Sequence, residues 1–286
     1  YGGKTDYTTV GALDPGIDDI IGGLELFANK EEVEVDFILM GAAHHTKEKA
    51  QAIAEKAIQV AEARKDAVAF ISPFRQAFLN DTSVGTVTVL QCAREAGVKK
   101  VMYSSTSSAY GFNSSPNSED QPEDCLNPYS VSKVSGEKLC SMYTDLFDLK
   151  TVIFRYFNVY GERSPLRGQY APVIGIFLRQ RGDGESLTIV GDGEQRRDFT
   201  HVSDVVQANI LAALTDVDEE SYGQVYNVGN GVNYSINQIA DAISDNQVNI
   251  PPRIGESRIT LANNAKLKNT FGWQPKVNLM EWISKQ

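Results

Sequence analysis

The sequence predicts an α/β fold: a doubly wound parallel sheet accompanied by a smaller α+β lobe. Two observations predict it. Apolar runs of strand length alternate with segments of helical periodicity through residues 33–157. Strand-helix-strand order usually makes parallel sheet, because two parallel strands need a long crossover connection, most often a helix. After Gly161 the pattern loosens into shorter helices and strands, which predicts a separate lobe at the carboxyl edge of the sheet.

The first strand-helix-strand unit lies between residues 33 and 72. Residues 33–40 begin with alternating apolar and polar side chains and end as an apolar run, which is typical of a strand that becomes buried. A helix follows, and residues 66–72 supply a second apolar strand. In the helix, apolar residues recur at helical spacing at Ala50, Ile53, Ala54, Ala57, Ile58 and Ala61.

The alternation resumes in the second part of the predicted sheet. An amphipathic helix over residues 86–96 should end at Gly97, because glycine readily adopts the left-handed conformation that follows many helices. Residues 98–104 then form a strand, a helix begins near Pro128, and residues 150–157 form another strand. Two strands are predicted in the lobe, at Leu187–Val190 and Gln224–Val228.

Composition excludes several classes of function. The 286 residues carry a formal net charge of −10, which argues against nucleic acid as a principal partner, because phosphate binding needs clustered Lys and Arg. No apolar stretch approaches the roughly 20 residues that span a bilayer. The three cysteines lack a CxxC pair, so we expect neither disulfides nor zinc, and a reducing cytoplasm. Because the chain begins with Tyr1 and shows no secretory leader, we expect a fragment rather than a secreted precursor.

Tyr129 and Lys133 form the first candidate site. Their i, i+4 spacing places a phenol and an ammonium on one face of the helix that begins near Pro128, with Asn127 as a candidate cap. A phenol with a pKa near 10 is a poor base at neutral pH, but a neighbouring cation favours its anionic form. Such a pair also occurs often by chance, and the alternative interpretation is a solvated helix face.

Other polar segments follow predicted strands. The hydroxyl-rich residues 104–111 lie at the carboxyl end of a strand, where open α/β sheets bind ligands, although a serine-rich loop would look the same. Residues 154–161 contain the end of another strand, followed by polar groups. Residues 191–199 combine a turn with two arginines, which could equally be ordinary charged residues of the surface. Residues 253–256 precede an aromatic segment that contains Trp273, for which packing is a better interpretation than ligand contact.

In this order and spacing, the segments resemble the extended short-chain dehydrogenase/reductase family of NAD-dependent nucleotide-sugar epimerases and dehydratases, over residues 86–286. The resemblance implies a Rossmann-like sheet, NAD as cofactor and a nucleotide sugar as substrate. It implies that Tyr129 is the base, that Lys133 lowers the pKa of Tyr129 and holds the nicotinamide ribose, and that Thr106 hydrogen-bonds the reacting sugar oxygen. The remaining implied substrate-binding residues are Ser107, Asn158, Arg197, Arg253 and Glu256.

The resemblance also bears on the type of reaction. Family members transfer hydride from a sugar carbon to the nicotinamide while the tyrosinate accepts the hydroxyl proton. Dehydratases of the family carry an Asp-Glu pair directly after the active Thr, whereas this chain has Ser107 and Ser108 there. The resemblance therefore favours epimerisation over dehydration, and leaves a decarboxylase or a simple reductase open.

The N-terminal part departs from the family pattern. The chain has no Gly-x-x-Gly-x-x-Gly motif, whose glycines let the backbone approach the cofactor pyrophosphate. Residues 1–88 instead resemble the contractile-tail sheath protein of T4-like bacteriophages, with residues 64–73 the most similar segment. His44 and His45 lack the spacing of metal ligands, so we expect no metal site.

The two resemblances predict a chimera. A sheath-like β-α-β segment, residues 1–88, would replace the NAD-fingerprint half of an incomplete Rossmann-like sheet, with impaired catalysis as the consequence. Residues 89–160 would form the remainder of that domain with the catalytic residues, and residues 161–286 mainly the nucleotide-sugar lobe. Competing functions are a structural fragment of a phage tail sheath and a nucleotide-sugar-binding module without turnover. A homodimer is a further expectation from the family.

Overall fold

The computed structural model describes residues 17–25, 37–39, 47–64, 68–70, 82–166, 171–252 and 257–286. The chain divides into two compact units. The first unit comprises Tyr1–Val101 and Lys138–Thr151, and the second comprises Met102–Glu137 and Val152–Gln286. This geometric division does not test the boundaries expected at residues 88 and 160, which stay predictions.

The first unit contains the predicted strand-helix-strand segment. Strands β1 and β2 are parallel, with Phe37 opposite Val68, so the β-α-β prediction is confirmed. The helix between them is alanine-rich and buries an apolar stripe that includes Ile53, Ala57 and Ile58, as its periodicity predicted. The first five elements of the chain lie in this unit: α1 (Ile17–Glu25), β1 (Phe37–Leu39), α2 (Lys47–Arg64), β2 (Val68–Phe70) and α3 (Thr82–Glu95).

The remaining elements, several of which continue from one unit into the other, follow in chain order. They are β3 (Lys100–Thr106), a 3-10 helix (Ser107–Tyr110), α4 (Pro128–Phe147), β4 (Lys150–Tyr156), β5 (Val159–Tyr160), α5 (Val173–Gly182), β6 (Leu187–Val190), β7 (Arg196–Asp198), β8 (Thr200–His201), α6 (Val202–Leu214), a 3-10 helix (Glu219–Ser221), β9 (Gln224–Val228), β10 (Asn233–Ser235), α7 (Ile236–Ile243), β11 (Gln247–Ile250), α8 (Ala265–Phe271) and α9 (Leu279–Ile283).

A sheet of order β3-β4-β9 forms the centre of the second unit, and β4 and β9 pair in parallel. Both strands are rich in β-branched and aromatic residues. One apolar cluster buries four of them, Val152, Phe154, Tyr226 and Val228. Trp273 lies in the same cluster with its indole N–H donating to the Asp204 carbonyl at 2.9 Å, which agrees with the packing interpretation. The predicted strands β6 and β9 are confirmed with the expected bounds.

The lobe contains separate two-stranded sheets, one parallel and one antiparallel. Strands β6 and β11 pair in parallel, whereas β7 and β10 are antiparallel. Helix α7 begins with a capping box in which Ser235 and Gln238 satisfy each other's backbone N–H groups. Its apolar face joins a core that includes Phe177, Leu187 and Ile239. An α+β lobe is therefore present, as the shorter pattern after Gly161 predicted.

Two boundaries differ from the sequence prediction. The helix expected from residue 86 begins at Thr82, and the strand expected at 98–104 lies at Lys100–Thr106. Gly97 does end α3, with φ +66°, and the turn it makes delays the strand. Within the described ranges, no helix combines the length and the apolar character needed to cross a bilayer.

Candidate active site

Helix α4 begins at a cap that fixes the direction of Tyr129 and Lys133. The side-chain oxygen of Asn127 accepts from the Ser130 N–H at 2.9 Å, and Pro128 occupies the first helical position, where its missing N–H has no consequence. The predicted cap is therefore confirmed. One turn separates Tyr129 from Lys133, so both side chains leave the same face of the helix.

Lys133 is buried beside the end of β3. Its ammonium donates to the Ser104 carbonyl at 2.7 Å and lies 6.0 Å from the centre of the Tyr129 ring and 5.5 Å from the centre of the Tyr103 ring. Burial lowers the pKa of Lys133 to about 8, and the charge of Glu137 opposes that shift. The ammonium can therefore lose its charge at mildly alkaline pH.

Tyr129 and Thr106 meet through their hydroxyl groups. Thr106 ends β3 and caps the following 3-10 helix by accepting from the Ser108 N–H at 3.1 Å. Although almost half of Tyr129 is exposed, its neighbours desolvate the phenol and raise its pKa, and a hydrogen bond with Thr106 opposes that shift. Desolvation outweighs this hydrogen bond, so the pKa of Tyr129 lies above its ordinary value. That Lys133 lowers the pKa of Tyr129 stays a prediction.

A glycine allows α4 to approach β3 closely. A Cβ atom on Gly136 would lie 2.0 Å from the Tyr103 hydroxyl oxygen, well inside contact distance. The Tyr103 hydroxyl also donates to the Lys133 carbonyl at 3.3 Å. Close packing at this point brings Lys133 within reach of the Ser104 carbonyl and holds Tyr129 beside Thr106.

A buried charge pair lies one helical turn beyond Lys133. Arg155 of β4 donates to both carboxylate oxygens of Glu137, at 2.8 and 2.6 Å, and the Ser105 hydroxyl donates to the same carboxylate. Glu137 and Arg155 are 2% and 1% exposed, which makes them the most deeply buried ion pair among the described residues. Sequence analysis missed this network. The available indication was a glutamate four residues after Lys133 and an arginine inside an apolar strand.

Two cavities of the second unit share Asn158 and Arg197. The inner cavity, of about 180 Å³, begins at the 3-10 helix, where Ser107 and Ser108 line it, and also meets Asn127. The outer cavity, of about 360 Å³, has an apolar wall, and its polar residues include Gln195. The apolar wall consists of Val159, Tyr160, Ala171, Pro172, Val173, Ile174, Ile176, Phe177, Val190, Phe199, Ile236 and Ile250.

Asn158 is held by the lobe at an unusual backbone position. Its φ is +22°, and its amide donates to the Asp198 carbonyl at 2.8 Å. Arg197 donates to the Arg196 carbonyl at 3.0 Å and lines both cavities with Asn158. The structure therefore brings these two predicted residues together. Arg253 and Glu256, the other two predicted nucleotide-binding residues, lie outside the described residues, as do His44 and His45.

The Asp198 carboxylate organises the backbone behind the inner cavity. It accepts from the N–H groups of Asn230, Gly231 and Ala262 at 2.7, 2.9 and 3.0 Å. Asp198 is fully buried, and burial raises its pKa to about 6 while the three backbone donors oppose the shift. Sequence analysis placed Asp198 in a turn beside two arginines and did not predict this role.

The described residues fit one end of NAD. A buried ammonium and a half-exposed phenol on one helix face suit the hydroxyl groups of a nicotinamide ribose. The pyrophosphate end is different, because the 286 residues contain no Gly-x-x-Gly-x-x-Gly segment. The segments that directly follow β1 and β2, residues 40–46 and 71–81, lie outside the described residues.

The sequence profile of the NAD dependent epimerase/dehydratase family matches residues 46–229, more than half of the chain. The chain belongs to this family. The match begins well before residue 86, so it includes residues 46–88 of the segment predicted to be sheath-like. Neither the sheath resemblance nor the chimera receives support from the comparisons.

Relatives agree with the family assignment. A UDP-glucose 4-epimerase of Mycolicibacterium smegmatis is 38% identical over 210 residues, which are 71% of this chain and 66% of that protein, just under two thirds of its length. The UDP-N-acetylglucosamine 4-epimerase of Methanobrevibacter ruminantium, solved with UDP-N-acetylmuramic acid, has a TM-score of 0.72 at 28% identity, covering 80% of this chain and 77% of that one.

A further solved structure comes from Thermus thermophilus. It is a UDP-glucose 4-epimerase in complex with NAD, with a TM-score of 0.69 and 25% identity, and 94% of each chain is covered. The Rossmann-like α/β class predicted from the sequence is confirmed by these similarities.

Proposed function

We propose that the protein is an NAD-dependent epimerase of a nucleotide sugar. The observation that carries the proposal is the convergence of Thr106, Tyr129 and Lys133 at the end of β3. Ser107, the residue after Thr106, lines the inner cavity, and so does Arg197. A sugar hydroxyl at the phenol and a diphosphate at the guanidinium would match this arrangement.

Bound NAD would supply the hydride acceptor and donor that epimerisation requires. Lys133 would hold the nicotinamide ribose, and Tyr129 would hold both that ribose and the reacting hydroxyl of the sugar. Tyr129 receives the proton of this hydroxyl and returns it after the sugar has turned, and Thr106 keeps the sugar oxygen in line with the phenol. Because burial raises the pKa of Tyr129, proton removal depends on positive charge beside it.

The nucleotide end of the substrate would lie along the two cavities. Arg197 offers a planar set of donors to the diphosphate, and Asn158 offers a fixed amide beside it. The apolar wall of the outer cavity suits the flat face of a base. We assign Arg253 and Glu256 to the same nucleotide from the family resemblance. Since relatives are named as UDP-glucose 4-epimerases, UDP-glucose is the first substrate to test.

Epimerisation fits the inner cavity better than loss of water. Dehydration needs an acid and a base beside the sugar, and Ser107 and Ser108 provide only hydroxyl groups there. Ser107 would instead hydrogen-bond the sugar.

The larger organisation of the protein belongs to the same proposal. Residues 89–160 would carry the catalytic residues and residues 161–286 would mainly bind the nucleotide sugar. The protein would act in the cytoplasm. A homodimer is supported by Met142 and Leu146, two exposed apolar side chains one turn apart on α4.

The test is conversion of UDP-glucose to UDP-galactose by the purified protein with added NAD, followed by chromatography of the nucleotide sugars. The matched control is Tyr129→Phe, which removes the phenol oxygen and leaves the ring. We expect kcat to fall by about 10³-fold in this variant with little change in KM, because the loss affects proton transfer and not binding.

A second measurement separates enzyme from binding protein. The protein is denatured and the supernatant assayed for NAD. Absence of turnover together with absence of retained or added NAD binding would contradict the proposal. Binding of UDP-glucose without turnover, despite bound NAD, would favour a binding module.

A further inference from the structure

Glu137 makes its contacts away from both cavities. Its carboxylate accepts from Arg155 at 2.8 and 2.6 Å and from the Ser105 hydroxyl, and neither Glu137 nor Arg155 lines the inner or the outer cavity. A buried ion pair is weak support for stability, because removing two charges from water offsets most of their attraction. The contacts of Glu137 indicate a different use.

The contacts lead to the reacting groups through one short piece of strand. Ser105 lies between Ser104, whose carbonyl accepts from the Lys133 ammonium, and Thr106, whose hydroxyl contacts Tyr129. Alternation along β3 turns Tyr103 and Ser105 towards α4, where they meet the Lys133 carbonyl and Glu137. Glu137 therefore fixes α4 on β3 next to Ser104 and Thr106, the two residues that contact Lys133 and Tyr129.

Glu137 is also the negative charge that favours the charged form of Lys133. Burial lowers the pKa of Lys133 to about 8, and Glu137 opposes that shift. The other titratable groups beside the ammonium are Tyr103 from β3 and Tyr129 from α4. Arg155, from β4, pairs with the Glu137 carboxylate at 2.6 Å.

We propose that Glu137 is a positioning residue for the reaction, which sets α4 against the end of β3 and supplies a negative charge one helical turn from Lys133. The inference rests on the proposed function for its meaning in catalysis, but the charge state of Lys133 is measurable without turnover. Glu137 touches neither substrate nor cofactor in this assignment, and Arg155 acts by holding the Glu137 carboxylate in place through two hydrogen bonds.

The test compares Glu137→Gln, Glu137→Asp and the double variant Glu137→Gln with Arg155→Met. The Lys133 side chain is titrated in each protein by NMR of ¹³Cε-labelled lysine, assigned with Lys133→Arg. We expect the pKa of Lys133 to fall in Glu137→Gln and to stay near that of the parent in Glu137→Asp, because only the latter retains the negative charge.

Activity measured against pH gives the second readout. Loss of charge on Lys133 should end activity at high pH, so Glu137→Gln should move the alkaline limb of kcat to lower pH. Above the limb, the activity of Glu137→Gln relative to the parent should be lower than it is below the limb. The decrease should be about tenfold for each pH unit by which the limb moves. KM for the nucleotide sugar should change little. Glu137→Asp should keep the position of the limb even if kcat decreases.

The double variant separates positioning from simple stability. Glu137→Gln leaves the buried Arg155 guanidinium with only the more distant carboxylate of Glu123, at 3.7 Å, and can fail to fold, whereas the double variant removes both charges. We expect the double variant to regain thermal stability but to retain the shifted Lys133 titration. An unchanged Lys133 titration in both variants would overturn the proposal, as would recovery of the parent titration in the double variant. An inactive parent with a shifted titration would instead refute the proposed function alone.

Discussion

The reaction centre and the nucleotide cavities are held in place by different kinds of interaction. At the reaction centre, side chains of three elements meet: Lys133 and Glu137 from α4, Ser105 from β3 and Arg155 from β4. Behind the inner cavity a single carboxylate, Asp198, collects backbone N–H groups from two distant loops. Charge balance maintains the first region, and backbone geometry maintains the second.

The difference separates two kinds of failure. A change at the reaction centre alters the charge or the alignment of the groups that move a proton, so it should appear in kcat and in its pH dependence. A change behind the cavities alters the shape that receives the nucleotide, so it should appear in KM and in stability. If a variant in one region produced the effect expected of the other, the two regions would not have separate roles.

The largest effect is expected from Gly136→Ala, which breaks the approach of α4 to β3. The new Cβ would lie 2.0 Å from the Tyr103 hydroxyl oxygen and 2.4 Å from the ring carbon that carries it, so α4 or the Tyr103 ring must move. Because displacement of reacting groups by an ångström costs about 10²-fold, we expect kcat to decrease by roughly that factor. Steady-state kinetics with UDP-glucose measure it.

Gly182→Ala provides the matched control for this substitution. Gly182 ends α5, and a Cβ atom there meets nothing within 4 Å. The control should retain the kcat of the parent. Parent-like kcat in Gly136→Ala would show that α4 does not need this contact distance.

Features that depend on residues close together in the sequence could be predicted, whereas contacts between residues far apart in the sequence could not. Periodicity identified the strand-helix-strand segment, and a local cap identified the start of α4, because both depend on residues within one or two turns. Thr106, Tyr129 and Lys133 meet as predicted because the carboxyl end of a strand and the start of the next helix are neighbours in such folds.

Long-range partners account for what sequence analysis could not supply. Asn158 contacts Thr260, 102 residues away, and Asp198 accepts from Ala262, 64 residues away. No periodic pattern specifies such pairs, since each depends on how loops of the lobe return to the sheet. The interaction of Glu137 with Arg155 spans only 18 residues but requires the register of α4 on β4, which periodicity also does not fix.

An effect of similar size is expected from Asp198→Asn, which tests the cavity side through stability. The folded protein raises the pKa of Asp198 from 3.8 to about 6, so the protonated carboxyl is favoured by folding. That contribution is complete below about pH 4 and is lost as pH rises to about 6, a change of roughly 3 kcal/mol. The difference in unfolding free energy between parent and variant should therefore shrink over this range.

Urea denaturation at several pH values measures that difference. The variant should be less stable than the parent throughout, because an amide offers the three N–H groups fewer acceptor positions. Asp145→Asn, on an exposed part of α4, serves as the control. A pH-independent difference would show that Asp198 does not titrate in this range.

The smallest effect is expected from Arg197→Gln, and it tests the separation of binding from chemistry. The guanidinium lines both cavities, and its replacement removes a charged donor to the diphosphate, an interaction that contributes about 1.5–3 kcal/mol. KM for UDP-glucose should rise by roughly tenfold or more, with kcat within about twofold of the parent. Arg179→Gln, which removes a charge on α5 that pairs with Asp183 and lines neither cavity, should leave both constants unchanged. If Arg197→Gln reduced kcat at unchanged KM, the guanidinium would act on the reacting sugar, and the cavities could not be treated as a binding region separate from the reaction centre.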